Sequence, residues 1–205
     1  MKVVEIKKHG GPEVLYIGSR PIPKPNINEV LIKVKAAGIN KPDILQREGE
    51  YPPPKDASDV LGLEVSGEVV ELGKETKNIK KGDKVCALVS GGGYSEYCLA
   101  PYTQCLPIPK NLSFEEASAI PETFFTIWFN LFIRSTIKKN QKILIHGGSS
   151  GIGTTAIQFA KNFGLKVFTT TRTDKKMENC KKIGADYAIN SKKINFEEFV
   201  KKETN

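Results

Sequence analysis

No Cys-x-x-Cys pair occurs in the sequence, whose only cysteines are Cys86, Cys98, Cys105 and Cys180. Disulfide frameworks and four-cysteine zinc sites rely on closely spaced cysteines, so both classes are disfavoured. No apolar run follows the first methionine, and no apolar stretch approaches the length of a transmembrane helix. We therefore expect a soluble protein in the reducing environment of the cytoplasm.

Acidic residues are scarce relative to basic ones, and the formal net charge is +8. A basic balance can indicate a nucleic acid, an anionic surface or an anionic ligand as partner. The lysines, however, form scattered pairs without interleaved aromatic residues, which is typical of a solvated surface. RNA binding is therefore the weaker alternative, and no membrane partner is expected.

The first half of the chain has the pattern of a β-rich domain. Short apolar runs between turn residues predict strands; they are VVEI, EVLYIG, EVLIKVKAAGI, VSGEVVELG, DKVCALV and YSEYCLA. Pro21, Pro23 and Pro25 indicate a sheet edge or a connector. The segment YPPPK at 51–55 predicts an extended loop, because each residue before a proline is disfavoured in the α region.

The pattern changes after residue 112. Ser113 and Glu116 have the spacing of a capping box, so a helix is predicted to begin there. The segment SFEEASAIPETFFTIWFNLFI is helical in pattern, and Pro121 is expected to start or kink its second part.

From residue 142 the chain alternates between strand and helix patterns. The segments are KILIH, GIGTTAIQFAKNF, LKVFTTT, DKKMENCKKI, DYAIN and FEEFVKK. Gly164 and Gly184 are predicted to end two helices, and Asp174 is predicted to be an N-cap. Strand–helix–strand alternation predicts parallel strands joined by right-handed crossovers.

A glycine-rich segment, HGGSSGIG at 146–153, joins the first of these strands to the first helix. Backbone N–H groups and the helix dipole at such a turn favour an anion, and missing Cβ atoms allow close approach. The alternative is a turn that needs a positive φ at one glycine, but four glycines exceed that need. We therefore predict a dinucleotide pyrophosphate site.

The end of the second strand, TTTRT, indicates which dinucleotide binds. An NAD site carries an acid about 20 residues after the first glycine, and no acid stands there. Thr171, Arg172 and Lys176 stand there instead, and a basic residue at this point suits the 2′-phosphate of NADPH. The alternative for Arg172 and Lys176 is a solvated helix start.

A short-chain dehydrogenase is the first rival. Gly147-x-x-x-Gly151-x-Gly153 has that family's spacing, and Tyr51 and Lys55 form a Tyr-x-x-x-Lys pair. That pair must stand one turn apart on a helix, which YPPPK cannot form. The short-chain class is therefore rejected.

Five segments occur in order along the chain: GINKPDILQREGEYPPP, DVLGLEVSGEVVELG, GGGYSEYC, IPETFFTIW and ILIHGGSSGIGTTAIQFAK. Together they resemble the quinone oxidoreductase branch of the zinc-independent medium-chain dehydrogenase/reductases, most of all its tumour-suppressor-inducible type. The resemblance implies an α/β fold in which a GroES-like β-rich domain, residues 1–112, precedes the first half of a Rossmann NADPH-binding domain, residues 113–205.

The resemblance implies reduction without a metal. Zinc-dependent relatives hold the metal with a cysteine and a histidine where this chain has Asn40 and Leu63, and His9 and His146 are poorly placed to build such a site. The implied reaction is hydride transfer from NADPH to a quinone or an α,β-unsaturated carbonyl. The alternatives are an enoyl thioester reductase of the same superfamily and a non-catalytic or RNA-binding, crystallin-like product.

Roles for individual residues also follow from the resemblance. Asn40 and Asp43 would lie at the nicotinamide–substrate cleft, Thr126 would contact the nicotinamide, and Tyr51 would line the substrate entrance as a proton donor of the enoyl reductase kind. The pyrophosphate would lie against Gly148, Ser149, Ser150, Gly151, Ile152 and Gly153, with Ser150 donating to a phosphate. Alternatively, Asn40 satisfies a loop backbone, Asp43 caps a short helix, and Tyr51 is a rim aromatic.

Two departures from the family pattern stand out. Many relatives have a tyrosine where this chain has Ser191, and a glycine where it has Arg172; we hypothesise that Arg172 replaces the tyrosine's contact with the 2′-phosphate. The chain also holds one βαβαβ half of a doubly wound domain instead of two. The resemblance therefore implies a truncated chain with impaired activity, and a homodimer as its candidate assembly.

Overall fold

The computed structural model describes residues 1–204, which group into two compact units, Met1–Glu122 and the residues from Thr123 onward. The first unit is mainly β. Its elements are β1 Lys2–Ile6, β2 Leu15–Ser19, β3 Glu29–Ala37, α1 Lys41–Glu48, β4 Glu64–Leu72, β5 Lys84–Leu88, β6 Tyr97–Pro101, β7 Cys105–Pro107 and α2 Phe114–Ala117.

Every strand pair in this unit is antiparallel. Strands β1 and β2 form a hairpin, and five strands form a sheet in the order β6-β3-β4-β5-β7. Alternate side chains of β3, β4 and β5 pack into one apolar core, in which Val30, Ile32, Val65 and Val69 are fully buried. Register shifts in the β3–β4 pair, typical of β-bulges, let the sheet bend around that core.

The second unit is a parallel three-stranded sheet with helical connections. Its elements are β8 Lys142–Ile145, α4 Gly151–Asn162, β9 Lys166–Thr171, α5 Asp174–Lys182, β10 Tyr187–Asn190 and α6 Phe196–Thr204. The sheet order is β10-β9-β8, so β9 is central, and its residues from Val167 to Thr171 are buried. Helix α3, Pro121–Trp128, continues into a π-helical turn, Phe129–Arg134.

These elements confirm the predicted α/β class, with a β-rich part followed by a parallel sheet. The capping box is present, because the Ser113 hydroxyl accepts from the N–H of Glu116 and the Glu116 carboxylate accepts from the N–H of Ser113. Pro121 begins α3, as expected. The division at residue 112 stays a prediction.

The prediction that Asp174 caps α5 is wrong. The N-cap is Thr173, whose hydroxyl accepts from the N–H of Lys176 at 3.4 Å. The Asp174 carboxylate instead accepts hydrogen bonds from the Asn190 amide at 2.7 Å and from the Lys193 ammonium. It therefore ties the start of α5 to the end of β10.

Strand β7 was not predicted, and helix α1 was expected only under the alternative in which Asp43 caps a short helix, whereas its N-cap is Asn40. The helix has few apolar residues, and only Asp43 and Gln46 are buried on it. Within residues 1–204 no helix is both long and apolar enough to cross a membrane.

Candidate functional site

The glycine-rich segment forms the turn from β8 into α4. Ser150 is the N-cap of α4, because its hydroxyl accepts from the N–H of Gly153 at 3.0 Å. The N–H groups of Gly151 and Ile152 open the helix, where a backbone donor has no intrahelical acceptor. Two backbone donors and the positive end of the helix dipole therefore meet at this turn, which favours an anion.

The glycines of the turn serve different ends. Gly147 has a φ of +68°, a conformation that favours glycine. A Cβ at Gly148 would lie 2.0 Å from Thr169 Oγ1, and one at Gly153 would lie 2.4 Å from the Gly147 carbonyl oxygen. These three glycines are thus required by the fold itself, so the number of glycines was not in itself a sign of a ligand.

Gly151 is the exception. A Cβ there would meet only Thr123 Cγ2, at 3.9 Å. The backbone at Gly151 is exposed, and the fold does not need its missing side chain. Gly151 is therefore the glycine whose absence of a Cβ leaves room for a ligand.

The turn is held against the central strand. The N–H of Gly148 donates to the Thr170 carbonyl at 3.0 Å, and the N–H of Gly147 donates to Thr170 Oγ1 at 3.3 Å. Thr169 Oγ1 donates to the Ile145 carbonyl at 2.7 Å. The buried residues Thr169 and Thr170 of β9 thus hold the turn and the end of β8 in place through hydrogen bonds.

A cleft of about 480 Å³ opens beside the turn. Its lining comes from the turn, the end of β9, the start of α5 and the end of β10, and consists of Gly147, Ser149, Ser150, Thr170, Thr171, Arg172, Lys176 and Ser191. Five residues predicted from the sequence to bind the cofactor therefore meet in one place. Gly148 and Gly153 lie buried behind the turn, and Gly151 and Ile152 lie exposed in the first turn of α4.

The cleft carries uncompensated positive charge. Arg172 and Lys176 are exposed, and within residues 1–204 neither forms an ion pair. Asp174, which lies between them in sequence, is paired with Lys193, and the hydrogen bonds from Lys193 and Asn190 lower the pKa of its carboxyl. An anion in the cleft would therefore face two cations and no free carboxylate.

Asn40 and Asp43 lie together at the start of α1 in the first unit. Asn40 is the N-cap, and its N–H donates to Asp43 Oδ2 at 2.7 Å. Asp43 is buried and also accepts from the N–H of Gly62 at 3.2 Å and from the Tyr94 hydroxyl at 3.0 Å. The carboxylate of Asp43 is thus fully engaged in organising the backbone around Asn40.

Glu64 and Tyr94 complete this buried polar group, and sequence reasoning missed both. The Asn40 amide Nδ2 donates to Glu64 Oε1 at 2.7 Å. A Cβ at Gly38 would lie 2.0 Å from Glu64 Oε1, so Gly38 makes room for the Glu64 side chain. The signal that could have found Glu64 was a carboxylate directly followed by the apolar or small residues Val65, Ser66 and Gly67 at the start of a strand.

Burial raises the pKa of both the Asp43 and the Glu64 carboxyls, against hydrogen bonds that lower it. Burial and the neighbouring Asp43 also raise the pKa of Tyr94 well above its ordinary value. Such grouped perturbations are typical of functional sites, although structural networks produce them as well.

Tyr51 and Thr126 belong to different units of the chain. Tyr51 is 44% exposed in the loop that follows α1. Thr126 belongs to the second unit, where it is half-buried on α3 and its carbonyl accepts from the Asn130 amide at 2.8 Å. YPPPK forms a loop, as predicted, with a bend at Tyr51 and a turn at Lys55.

Comparison with known proteins agrees with this architecture. Residues 26–110 match the family model "Alcohol dehydrogenase GroES-like domain", and residues 151–205 match "Zinc-binding dehydrogenase". Quinone oxidoreductase of Sus scrofa is 35% identical over 204 residues, which cover 98% of this chain and 62% of the pig protein. The trans-enoyl reductase tazE of Aspergillus terreus is 35% identical over 206 residues, covering 91% of this chain and 67% of that protein.

Among solved structures, Escherichia coli quinone oxidoreductase complexed with NADPH matches with a TM-score of 0.87 at 34% identity, over 100% of this chain and 63% of that chain. The chain belongs to the quinone oxidoreductase family of medium-chain dehydrogenase/reductases. It spans 62% of the length of the pig quinone oxidoreductase that it matches. The resemblance drawn from the five sequence segments is confirmed at the level of this family, and the finer tumour-suppressor-inducible type stays a prediction.

The family model that matches residues 151–205 is described as zinc-binding. Within residues 1–204 no group of three or more His, Cys, Asp and Glu side chains is arranged to hold a metal ion. The positions predicted to replace zinc ligands carry Asn40, which bonds to Glu64, and Leu63.

Proposed function

We propose that the chain binds NADPH and reduces quinones or α,β-unsaturated carbonyls. The observation that carries the proposal is the cleft of the second unit, where Arg172 and Lys176 stand without acidic partners beside a helix N-terminus. NADPH differs from NADH by a 2′-phosphate, and two free cations are the groups that would recognise it. The E. coli relative of known structure is described as complexed with NADPH.

The residues present fit this cofactor. The pyrophosphate would lie against the N–H groups of Gly151 and Ile152, where Gly151 leaves open space. The Ser150 hydroxyl uses a lone pair for its N-cap bond, so its hydrogen stays available to donate to a phosphate oxygen. The 2′-phosphate would lie between Arg172 and Lys176, with Thr171 and Ser191 in the wall of the cleft.

The bound cofactor supplies a hydride, and the protein supplies orientation. We assign Asn40, Tyr51 and Thr126 to contacts with the nicotinamide and the substrate. Asp43 has a structural role instead, because its buried carboxylate accepts hydrogen bonds from the N–H of Asn40, the Tyr94 hydroxyl and the N–H of Gly62. Asp43 therefore holds the loop that presents Asn40.

Reduction of enoyl thioesters is the second candidate. The tazE relative is a trans-enoyl reductase, and reduction of a carbon–carbon double bond requires a proton donor as well as a hydride. Tyr51 is the exposed phenol nearest in sequence to Asn40, and within residues 1–204 its hydroxyl has no hydrogen-bond partner. It is therefore free to donate a proton to a substrate.

The test is oxidation of NADPH by the purified chain with a benzoquinone, a simple enone and a 2-enoyl thioester offered in parallel. Oxidation that depends on the benzoquinone or the enone supports the proposal. Preference for the thioester, lost on Tyr51→Phe and kept on Tyr102→Phe, would favour the second candidate. NADPH that is neither bound nor oxidised would refute both.

A further inference from the structure

The buried carboxylate of Glu64 has one partner on each oxygen. Oε1 accepts from Asn40 Nδ2 at 2.7 Å, and Oε2 accepts from the N–H of Glu122 at 2.9 Å, in the first turn of α3. The residue is only 2% exposed. An ionised carboxylate accepts hydrogen bonds and donates none, so both of its neighbours must present N–H groups to it.

This requirement decides which way the Asn40 amide faces. Because Nδ2 is directed at Glu64, the carbonyl oxygen Oδ1 of the same planar amide is directed away from Glu64. The backbone of Asn40 is held separately, by Asp43 Oδ2 at 2.7 Å. Oδ1 faces the N–H of Asp43 in the capping box of α1, and its second lone pair stays available to a ligand. The Asp43 carboxylate therefore fixes the backbone of Asn40, and the Glu64 carboxylate holds the Nδ2 end of its side chain.

We propose that Glu64 is a positioning residue that makes Asn40 present an acceptor, Oδ1, to the ligand. The proposal rests on the proposed function in one respect, the contact of Asn40 with the nicotinamide or the substrate. An acceptor at that place selects a ligand group that donates. The carboxamide N–H of a nicotinamide and the O–H of a hydroquinone product are groups of this kind.

The variant Glu64→Gln keeps the shape of the side chain but replaces one acceptor oxygen by a donor. Its amide can accept from Glu122 or from Asn40, but not from both. When it accepts from Glu122, its Nε2 faces Asn40, and the Asn40 amide must turn over to offer Oδ1 to that donor. Asn40 then presents a donor to the ligand. We expect kcat for quinone reduction to fall about tenfold or more, the loss that one misplaced hydrogen bond causes.

The double variant Asn40→Asp with Glu64→Gln reverses the donor and the acceptor of the pair. The amide of the introduced glutamine can donate to one oxygen of the introduced aspartate, while the second oxygen of that aspartate faces the ligand as an acceptor. We expect this double variant to recover activity relative to Glu64→Gln alone. Glu71→Gln, an exposed change in the same strand, is the matched control and should leave kcat unchanged.

The Asn40 side-chain amide signal in the NMR spectrum supplies a readout that needs no cofactor. It is assigned by its loss in Asn40→Asp, and its hydrogen-bonded proton should shift in Glu64→Gln and stay in place in Glu71→Gln. An unmoved signal, an unchanged kcat, or a loss of kcat equal to the loss of folded protein in urea melts would overturn the proposal. A wild-type chain that does not bind NADPH would count against the proposed function alone, because the amide signal still tests the hold of Glu64 on Asn40.

Discussion

Four glycines within one short turn have three different reasons to be glycine. Gly147 has a positive φ. Gly148 packs against Thr169 of β9, and Gly153 packs against the Gly147 carbonyl of the turn. Gly151 faces open space. A sequence shows that a side chain is missing but not what would have filled its place. The sequence therefore predicted the turn between a strand and a helix, whereas the roles of single glycines needed the structure, and the anion site stays a prediction.

Alanine at two of these positions should separate fold from ligand. Gly148→Ala places a methyl group against Thr169 and should destabilise the second unit by about 1–3 kcal/mol, the cost of overpacking. Gly151→Ala should leave the free energy of unfolding almost unchanged but weaken NADPH binding about tenfold, because its methyl group occupies space proposed for the pyrophosphate.

The measurements are urea unfolding and NADPH fluorescence titration on both variants. Gly148→Ala then serves as the control for indirect effects of a lost fold. Full NADPH affinity in Gly151→Ala would show that the pyrophosphate lies elsewhere.

Elements were predictable from the sequence where the pattern is local and escaped prediction where contacts distant in sequence decide. The alternation from β8 to α6 follows from apolar runs, glycine stops and the spacing between them. The apolar pattern did not indicate helix α1, because its buried side chains, Asp43 and Gln46, are polar. Two hydrogen-bond partners of Asp43, Gly62 and Tyr94, also lie far along the chain. A pattern search for an apolar stripe cannot detect such a helix.

The buried carboxyls of Asp43 and Glu64 should make the free energy of unfolding depend on pH. A carboxyl whose pKa is higher in the folded than in the unfolded state binds more protons when folded. The stability that such a carboxyl contributes is therefore fully present below its unfolded pKa of about 4, and this stability is lost as the pH rises through its folded pKa. The pKa of Glu64 is raised by burial, so ionising Glu64 costs stability.

Glu64→Gln removes that cost. The free energy of unfolding of the variant, minus that of the wild type, should therefore increase from about pH 4 to neutrality. Urea unfolding at a series of pH values measures the difference, with Glu71→Gln as the exposed control. A difference that is independent of pH, or that decreases as the pH rises, would contradict the account.

At the scale of the whole molecule, charge divides unevenly between the two units. Residues 1–122 hold 16 basic and 17 acidic residues, whereas residues 123–205 hold 15 and 6, so the formal charges are −1 and +9. Four of those six acids are also paired with lysines, at Lys161, Lys181, Lys193 and Lys201. Lysine pairs occur along the whole chain, so their positions alone did not indicate this uneven distribution of charge. The excess of positive charge in the second unit favours an anionic ligand there.

The family and the two-part architecture could be predicted from the chain because they depend on ordered segments along it. The Glu64–Asn40 pair could not, because a separation of 24 residues carries no periodic signal. Asp174 was misassigned for the same reason, since Asn190 and Lys193 lie one strand further along. Long-range polar contacts are thus what the structure adds to the sequence.

The most direct test of the central claim is to titrate the purified chain with NADPH and with NADH and compare the two values of Kd. Charge-assisted hydrogen bonds from Arg172 and Lys176 to a 2′-phosphate contribute about 1.5–3 kcal/mol each, so NADPH should bind at least about tenfold more tightly. Arg172→Gln should bring the Kd for NADPH closer to the Kd for NADH. Arg134→Gln removes an equal charge elsewhere in the second unit and should leave the ratio of the two Kd values unchanged. Equal Kd values for the two nucleotides in the wild-type chain would contradict the account.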